Sequence, residues 1–139
     1  MIDFTTKLGR KAKRYLRQQY VVWLTTIGSD LSPQPRPVWF IWDGASFLIF
    51  SQPHAHKVRH ITAHPQVALH FNTDATGDKD VIIFVGEAII DSTVPPAHKV
   101  RAYFRKYRTG IEGLKMTSEQ FSREYSVAIR VTPTTLRGW

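Results

Sequence analysis

The chain has 139 residues and no cysteine, and its 19 lysines and arginines outweigh 11 aspartates and glutamates for a net charge of +8. This length makes a single domain, large enough to bury a core without staples, and the missing cysteine excludes disulfides and thiol catalysis. The charge excess calls for an anionic partner: nucleic acid, an acidic membrane surface, or a phosphorylated or polycarboxylate small molecule. No stretch reads as a secretory segment or a membrane span, so a soluble cytoplasmic protein with no membrane partner is expected.

In chain order, residues 5–18 place Leu8, Ala12, Tyr15 and Leu16 at helical spacing. Lys7, Arg10, Lys11, Lys13, Arg14 and Arg17 fill the other faces. That basic surface is either a solvated face or a contact for the tail of an anionic ligand. Tyr20 to Ile27 is β-branched and aromatic, which predicts a strand. After a Gly28-Ser29-Asp30 turn, Pro33, Pro35 and Pro37 mark an edge-like entry into a second strand through Trp42. Alternation there puts Pro37, Trp39 and Ile41 on one face and Arg36, Val38, Phe40 and Trp42 on the other. Asp43-Gly44 predicts a two-residue type I′ turn into a third strand, Ser46 to Phe50.

Ser51-Gln52-Pro53 stops that strand, and a short helix is expected from about Ala55 to Ala63, ended by His64-Pro65. Val67 to Phe71 and Asp80 to Asp91 are the fourth and fifth strands, separated by the polar loop Asn72 to Lys79, and Gly86 suggests a bulge or a close backbone approach. Pro95-Pro96 opens a helix whose Val100, Tyr103, Phe104 and Tyr107 form a core face, with Gly110 as its cap. Thr117 to Gln120 has the capping-box pattern of a further short helix. Tyr125 to Val131 is the sixth strand, and Pro133 to Trp139 continues it as a bent piece. Six strands with short helices between them predict a mainly β, α+β fold: a mostly antiparallel barrel with peripheral helices. Dinucleotide-binding and P-loop glycine patterns are absent.

The chemistry concentrates between Arg36 and Arg59. A hydroxyl at Ser51, the free amides of a helix start, and Lys57 and Arg59 in its first turns favour an anion, above all a phosphate. The histidines at 54, 56, 60 and 64 include i, i+4 pairs, but no Cys or acidic residue accompanies them and no metal is expected. Ser51 lacks the strand–turn–helix elbow of a nucleophilic serine.

The stretches RPVWFIWDG, IFSQPHAHKVRHI, HPQVALHF, KYRTG and YSVAIRVTPTTLRGW span nearly the whole chain. Together they resemble the FMN-binding split-barrel superfamily, which includes pyridoxamine 5′-phosphate oxidase and the deazaflavin (coenzyme F420)-dependent reductases, and most of all the small deazaflavin-dependent group. The resemblance implies a six-stranded antiparallel split barrel working as a homodimer, with cofactor sites at the subunit interface. It implies that Arg36, Pro37, Val38, Trp39, Phe40 and Ile41 run along the cofactor ring and that Arg36 lies on the phosphate side. It further implies that Phe50 and Ser51 contact ring or phosphate, that Lys57 binds phosphate, and that Trp139 covers the ring. The oxidases carry an Arg-Lys pair where this chain has His56-Lys57, and Arg59 stands near enough in sequence to supply the charge. They carry a substrate lysine where this chain has Ile41, which argues against pyridoxamine phosphate as substrate.

The expectation is an oxidoreductase moving a hydride between F420 and a small organic substrate, with no catalytic side chain assigned. The alternatives are an FMN-dependent oxidase or reductase and a flavin- or deazaflavin-binding protein without turnover. The excess of cations beyond the phosphate corner favours F420, whose glutamate tail would meet them. A nucleic-acid-binding module suits the charge but lacks a reading motif.

Overall fold

The computed structural model describes residues 1–139. Helix α1 (Lys7–Gln18) starts where the Thr6 hydroxyl accepts the Gly9 N–H at 2.9 Å, and it buries Gly9, Ala12 and Leu16. Strand β1 (Val21–Ile27) turns Val22, Leu24 and Thr26 inward. Strand β2 (Pro33–Trp39) is separated by the single residue Phe40 from β3 (Ile41–Trp42). Next come β4 (Phe47–Ser51), α2 (His56–Ala63), β5 (Gln66–His70) and β6 (Ile82–Ile90). A one-turn 3-10 helix, Ala97–Lys99, leads into α3 (Arg101–Gly113). Helix α4 (Ser118–Glu124) opens with the expected Thr117/Gln120 capping box, and β7 (Val127–Gly138) ends the fold. No helix is long and apolar enough to cross a membrane.

The strands form one antiparallel sheet in the order β2-β1-β5-β6-β7-β4-β3. Its two end strands, β2 and β3, are joined through Phe40 alone, so the sheet must curl until its ends abut at that residue. Inside the curl lies one core, including Val22, Leu24, Phe40, Phe47, Leu69, Phe84 and Ile129, closed by Ala12 and Leu16 of α1. A second core lies outside it. There Ile41, Leu48, Phe50 and Ala128 meet Tyr103, Tyr107 and Ile111 of α3 and Phe121 of α4. Strand β4 is therefore buried at every position, because both of its faces are covered.

The mixed α+β, antiparallel class follows the expectation, but the sheet has seven strands rather than six, since the expected second strand is cut at Phe40. The two-residue hairpin turn is also corrected. Trp42 pairs with Phe47, so four residues connect the strands, and among them only Gly44 has positive φ, at +100°. The Asp43 carboxylate fixes this loop by accepting the Ala45 and Ser46 N–H groups at 2.9 and 2.7 Å and pairing with Arg130 at 2.7 Å. Arg130 also bonds Asp91 at 2.9 Å, tying the hairpin to the end of β6. Those bonds hold the Asp91 carboxyl at about 2, with its Thr93 hydroxyl contact the largest cause.

The C-terminal segment is one continuous strand. Pro133 fits within it because it sits opposite Gly86 at the register shift beside Val85, where a ladder donor is dispensable. Gly110 is not a cap; it lies inside α3, where a Cβ would stand 2.8 Å from the Trp39 ring and press on Tyr20. The glycine is there for close approach of aromatic rings.

The seam at Phe40 is held from α3. The Tyr107 hydroxyl accepts the Phe40 N–H at 2.7 Å and lies 2.8 Å from the carbonyls of both Tyr20 and Phe40. Lys106 donates to the Phe40 carbonyl at 2.9 Å and sits 3.8 Å over the Phe40 ring. One hydroxyl proton serves Tyr20, the ammonium serves Phe40, and no buried polar side-chain atom is left without a partner.

Tyr107→Phe strands the Phe40 amide and the Tyr20 carbonyl and should lower unfolding stability by about 1–3 kcal/mol in chemical denaturation. A second prediction concerns pH. Burial pulls the Lys106 ammonium from 10.5 down to about 8. Between those values the unfolded chain binds more protons than the folded one, so this residue makes stability rise with pH. The difference in stability between wild type and Lys106→Met should change over pH 8–10 and stay flat from pH 6 to 7.5.

Candidate functional site

Where β4 ends and α2 begins, two depressions meet. The first is an aromatic cleft of about 270 Å³, walled by Pro37, Val38 and Trp39 of β2, Phe50 and Ser51 of β4, and Tyr103, Phe121 and Tyr125. Its rings are packed in order. Trp39 lies parallel to Tyr107 at 4.6 Å and near-parallel to Phe121 at 5.9 Å, and Phe121 stacks on Tyr125 at 4.4 Å. Tyr20 packs edge-on against Trp39 at 5.8 Å. Burial holds the Tyr103 hydroxyl protonated well above the usual tyrosine range.

The second depression, of about 510 Å³, is polar: Thr26, Gly28, Ser29, Asp30, Gln34, Arg36, His56, Lys57 and His60 line it. Ala55 and Lys57 belong to both, so the ammonium stands where the aromatic slot passes into the cationic one. Helix α2 starts at this junction, and its N-cap Ala55 has no side chain to accept the first amides. The helix dipole therefore adds to the positive field there.

The electrostatics are unbalanced. Burial, then the neighbouring Arg36 guanidinium, lower the pKa of Lys57. The chain's ion pairs are Lys11–Asp80, Arg130–Asp43 and Arg130–Asp91, so Arg36, Lys57 and Arg59 have no carboxylate partner. Asp30 lines the depression, but its carboxylate is engaged by the Ser32 N–H at 3.1 Å and the Ser32 hydroxyl at 2.5 Å. Burial, reinforced by His56, Arg59 and Arg36, keeps His60 below the usual histidine range.

Of the residues expected from sequence, Pro37, Val38, Trp39, Phe50, Ser51 and Lys57 come together in the cleft, and Arg36 joins Lys57 in the cationic depression. Phe40 is fully buried in the inner core and Ile41 packs in the outer one, so neither lines the cleft. Arg59 lines neither depression; its guanidinium bonds the Nδ1 of His56 at the edge of the cationic one, at 2.6 Å. Trp139 lies at the opposite end of the twelve-residue β7 from Val127, which pairs with Ser51. It borders a separate groove with Lys7, Leu8, Arg10, Lys11 and Arg14, sharing no residue with the cleft.

Ser51 is buried and donates to the Gln52 carbonyl at 3.1 Å, with no base beside it. The four histidines do not converge with acidic groups on one point. His56 and His60 stack at 6.2 Å, and the His60 Nδ1 bonds the Thr26 hydroxyl at 2.9 Å. Sequence reasoning missed Tyr103, Phe121 and Tyr125 as cleft walls: Tyr103 reads as part of a core face, Phe121 as part of a capped short helix and Tyr125 as the start of a strand, whereas Tyr125 follows α4 as its C-cap. It also missed Thr26 and Gln34, which β1 and β2 bring against His60 of α2.

The curled antiparallel sheet thus carries an aromatic slot that runs into a cluster of cations without carboxylate partners. The family of pyridoxamine 5′-phosphate oxidase matches residues 8–139, and the chain belongs to it. None of the curated proteins matches the sequence. Among solved structures, the chain is similar to an F420 reductase, with 22% identity, 90% of this chain and 94% of that one covered, and a TM-score of 0.69. General stress protein 26 of Bacillus anthracis shares 19% identity over 94% and 92% of the two chains, with a TM-score of 0.71. The heme storage protein of Vibrio cholerae shares 15% over 96% and 95%, with a TM-score of 0.64. At these identities the likeness is one of fold.

Two like charges held together without a counter-ion lower the stability of the ligand-free protein and favour an anion. Lys57→Met should therefore leave the melting temperature of the ligand-free protein unchanged or higher. It should also abolish most of the upward shift that millimolar sulfate gives the wild type in a thermal melt.

Proposed function

We propose that this protein is an FMN-binding oxidoreductase of the pyridoxamine 5′-phosphate oxidase family, acting on a small organic substrate in the cytoplasm. The observation that carries the reading is the pair of depressions joined at Lys57, one flat and aromatic, the other cationic and without carboxylate partners. A planar ring linked to a phosphate fits that order of surfaces. Pro37, Val38, Trp39, Phe50 and Ser51 would hold the ring and Lys57 and Arg36 the phosphate, while Phe40 in the inner core and Ile41 in the outer one would anchor the end of the ring strand. When bound, the cofactor supplies the hydride chemistry; the chain supplies position, exclusion of water and positive charge. No side chain is assigned as acid or base. Pyridoxamine phosphate is not the substrate in this reading, since Ile41 stands where the oxidases have a lysine and is packed in the outer core.

Coenzyme F420 is the second reading, favoured by the resemblance of the 36–59 stretch to the deazaflavin-dependent group. The charge argument for it weakens in three dimensions. Four of the cations expected to meet a glutamate tail, Lys7, Arg10, Lys11 and Arg14, border the separate groove with Trp139. A protein that binds the cofactor without turnover is the third reading. Nucleic acid is not a partner in any of them.

The working unit in this proposal is a homodimer. A cleft of about 270 Å³ falls just under the usual range of roughly 300–1,000 Å³ for ligand sites. A second copy would complete its walls. The exposed Val85, Ile89 and Ile90 on β6 offer apolar surface for that contact.

Titration followed by tryptophan fluorescence tests the cofactor. FMN should bind at least ten- to a hundred-fold more tightly than riboflavin, which lacks the phosphate and its charge-assisted bonds of about 1.5–3 kcal/mol. Tighter binding of F420 than of FMN would promote the second reading, and sedimentation of the loaded protein as a monomer would remove the shared site.

A further inference from the structure

We propose that His60 is a third, proton-dependent ligand of the anion held by Arg36 and Lys57, and that it selects a phosphomonoester dianion over a phosphodiester. This deepens the FMN reading and rests on it. The geometry begins with Thr26, which is 2% exposed on the inner face of β1 and whose hydroxyl bonds the His60 Nδ1 at 2.9 Å. A hydroxyl both donates and accepts. It donates to Nδ1 of the neutral ring and accepts from Nδ1 of the protonated one, so the ring keeps its place in both states. In either state the proton on Nε2 is left for another acceptor, and the ring lines the cationic depression with Arg36 and Lys57.

The groups around the ring set its charge. From its own helix come His56 and Arg59, from β2 Arg36, and from the turn after β1 Asp30, the single anion among them. Lys57 borders the same depression. Burial and the surrounding cations favour the neutral form of the ring in the ligand-free protein. A dianion placed among these groups reverses their balance, and the ring takes one proton from solvent. A phosphodiester, with one negative charge, is already matched by Arg36 and Lys57 and gives a weaker pull on that proton.

The test is the pH titration of the His60 ring proton by NMR in the intact wild-type protein, the resonance being identified by its loss in His60→Asn. The probe is sulfate, a dianion throughout pH 5–8. At saturating sulfate the titration midpoint should rise by about one unit, equivalent to sulfate binding about tenfold tighter to the protonated form. At pH 6.5, monomethyl phosphate should bind several-fold more tightly than dimethyl phosphate to the wild type, and this preference should shrink in His60→Asn. A midpoint unmoved by sulfate, while the Arg36 and Lys57 signals shift, would overturn the role of His60 and leave the anion site standing. Sulfate and monomethyl phosphate that perturb none of the three residues would overturn both.

Discussion

The hydroxyl of Tyr107 is the contact on which the remainder of the structure depends. A sheet whose first and last strands are separated by one residue cannot lie flat, and its closure leaves the amide and carbonyl of that residue outside any ladder. Phe40 is fully buried, so those groups need partners from the protein. Tyr107 and Lys106, consecutive on α3, supply them. The same bonds dock α3 against the outer face of β4, and that docking creates the second core and with it the aromatic cleft. Seam, helix and cleft form one mechanical unit. Trp39, one residue before the seam, is stacked on the ring whose hydroxyl closes it.

The second constraint is electrostatic. Most of the chain's excess charge is dispersed on solvated helix faces, where each cation contributes little. At the start of α2 the situation differs, because Lys57 is half-buried, adjacent to Arg36, and without a carboxylate in reach. The one carboxylate that lines the depression, Asp30, is engaged by Ser32, while Asp43 and Asp91 pair with Arg130. The site is thus electrostatically incomplete in a chain that is otherwise well satisfied, a pattern expected where binding rather than stability sets the arrangement.

Much of this architecture is legible in the order of residues. Helical spacing marks α1 and α3, β-branched and aromatic residues mark β1, the Asp43-Gly44 turn marks the start of β4, and the Thr117 to Gln120 pattern marks the start of α4, all within a few residues of their observed ends. Gly86 announces its bulge because a side chain there would strike the opposite backbone. Lys57 is legible as a candidate anion ligand because a hydroxyl, a helix start and cations lie close together along the chain, but that local reading names Arg59 as its companion, whereas the fold sets Arg36 of β2 beside it. Tyr103, Phe121 and Tyr125 are not legible as cleft walls, because they reach the cleft only when α3 and α4 dock on the sheet. Gly110 misleads for a related reason: near a helix end a glycine suggests a cap, and only the rings of Tyr20 and Trp39 show that it clears space.

The sequence by itself determined the local elements and the chemistry of the 36–59 stretch, because propensity, turn residues and neighbouring charges act over a few residues of chain. It also determined the two faces of the second strand: Val38 and Phe40 enter the inner core while Trp39 and Ile41 serve the outer one. Tertiary structure alone decided that this strand breaks at Phe40, since the break is imposed by closure of the sheet and relieved by a tyrosine 67 residues away. It alone decided that Thr26 meets His60, and that the cations of α1 share a groove with Trp139 rather than with Lys57. Those outcomes depend on which strand ends the curl brings together, and residues distant along the chain carry no local signal of that encounter.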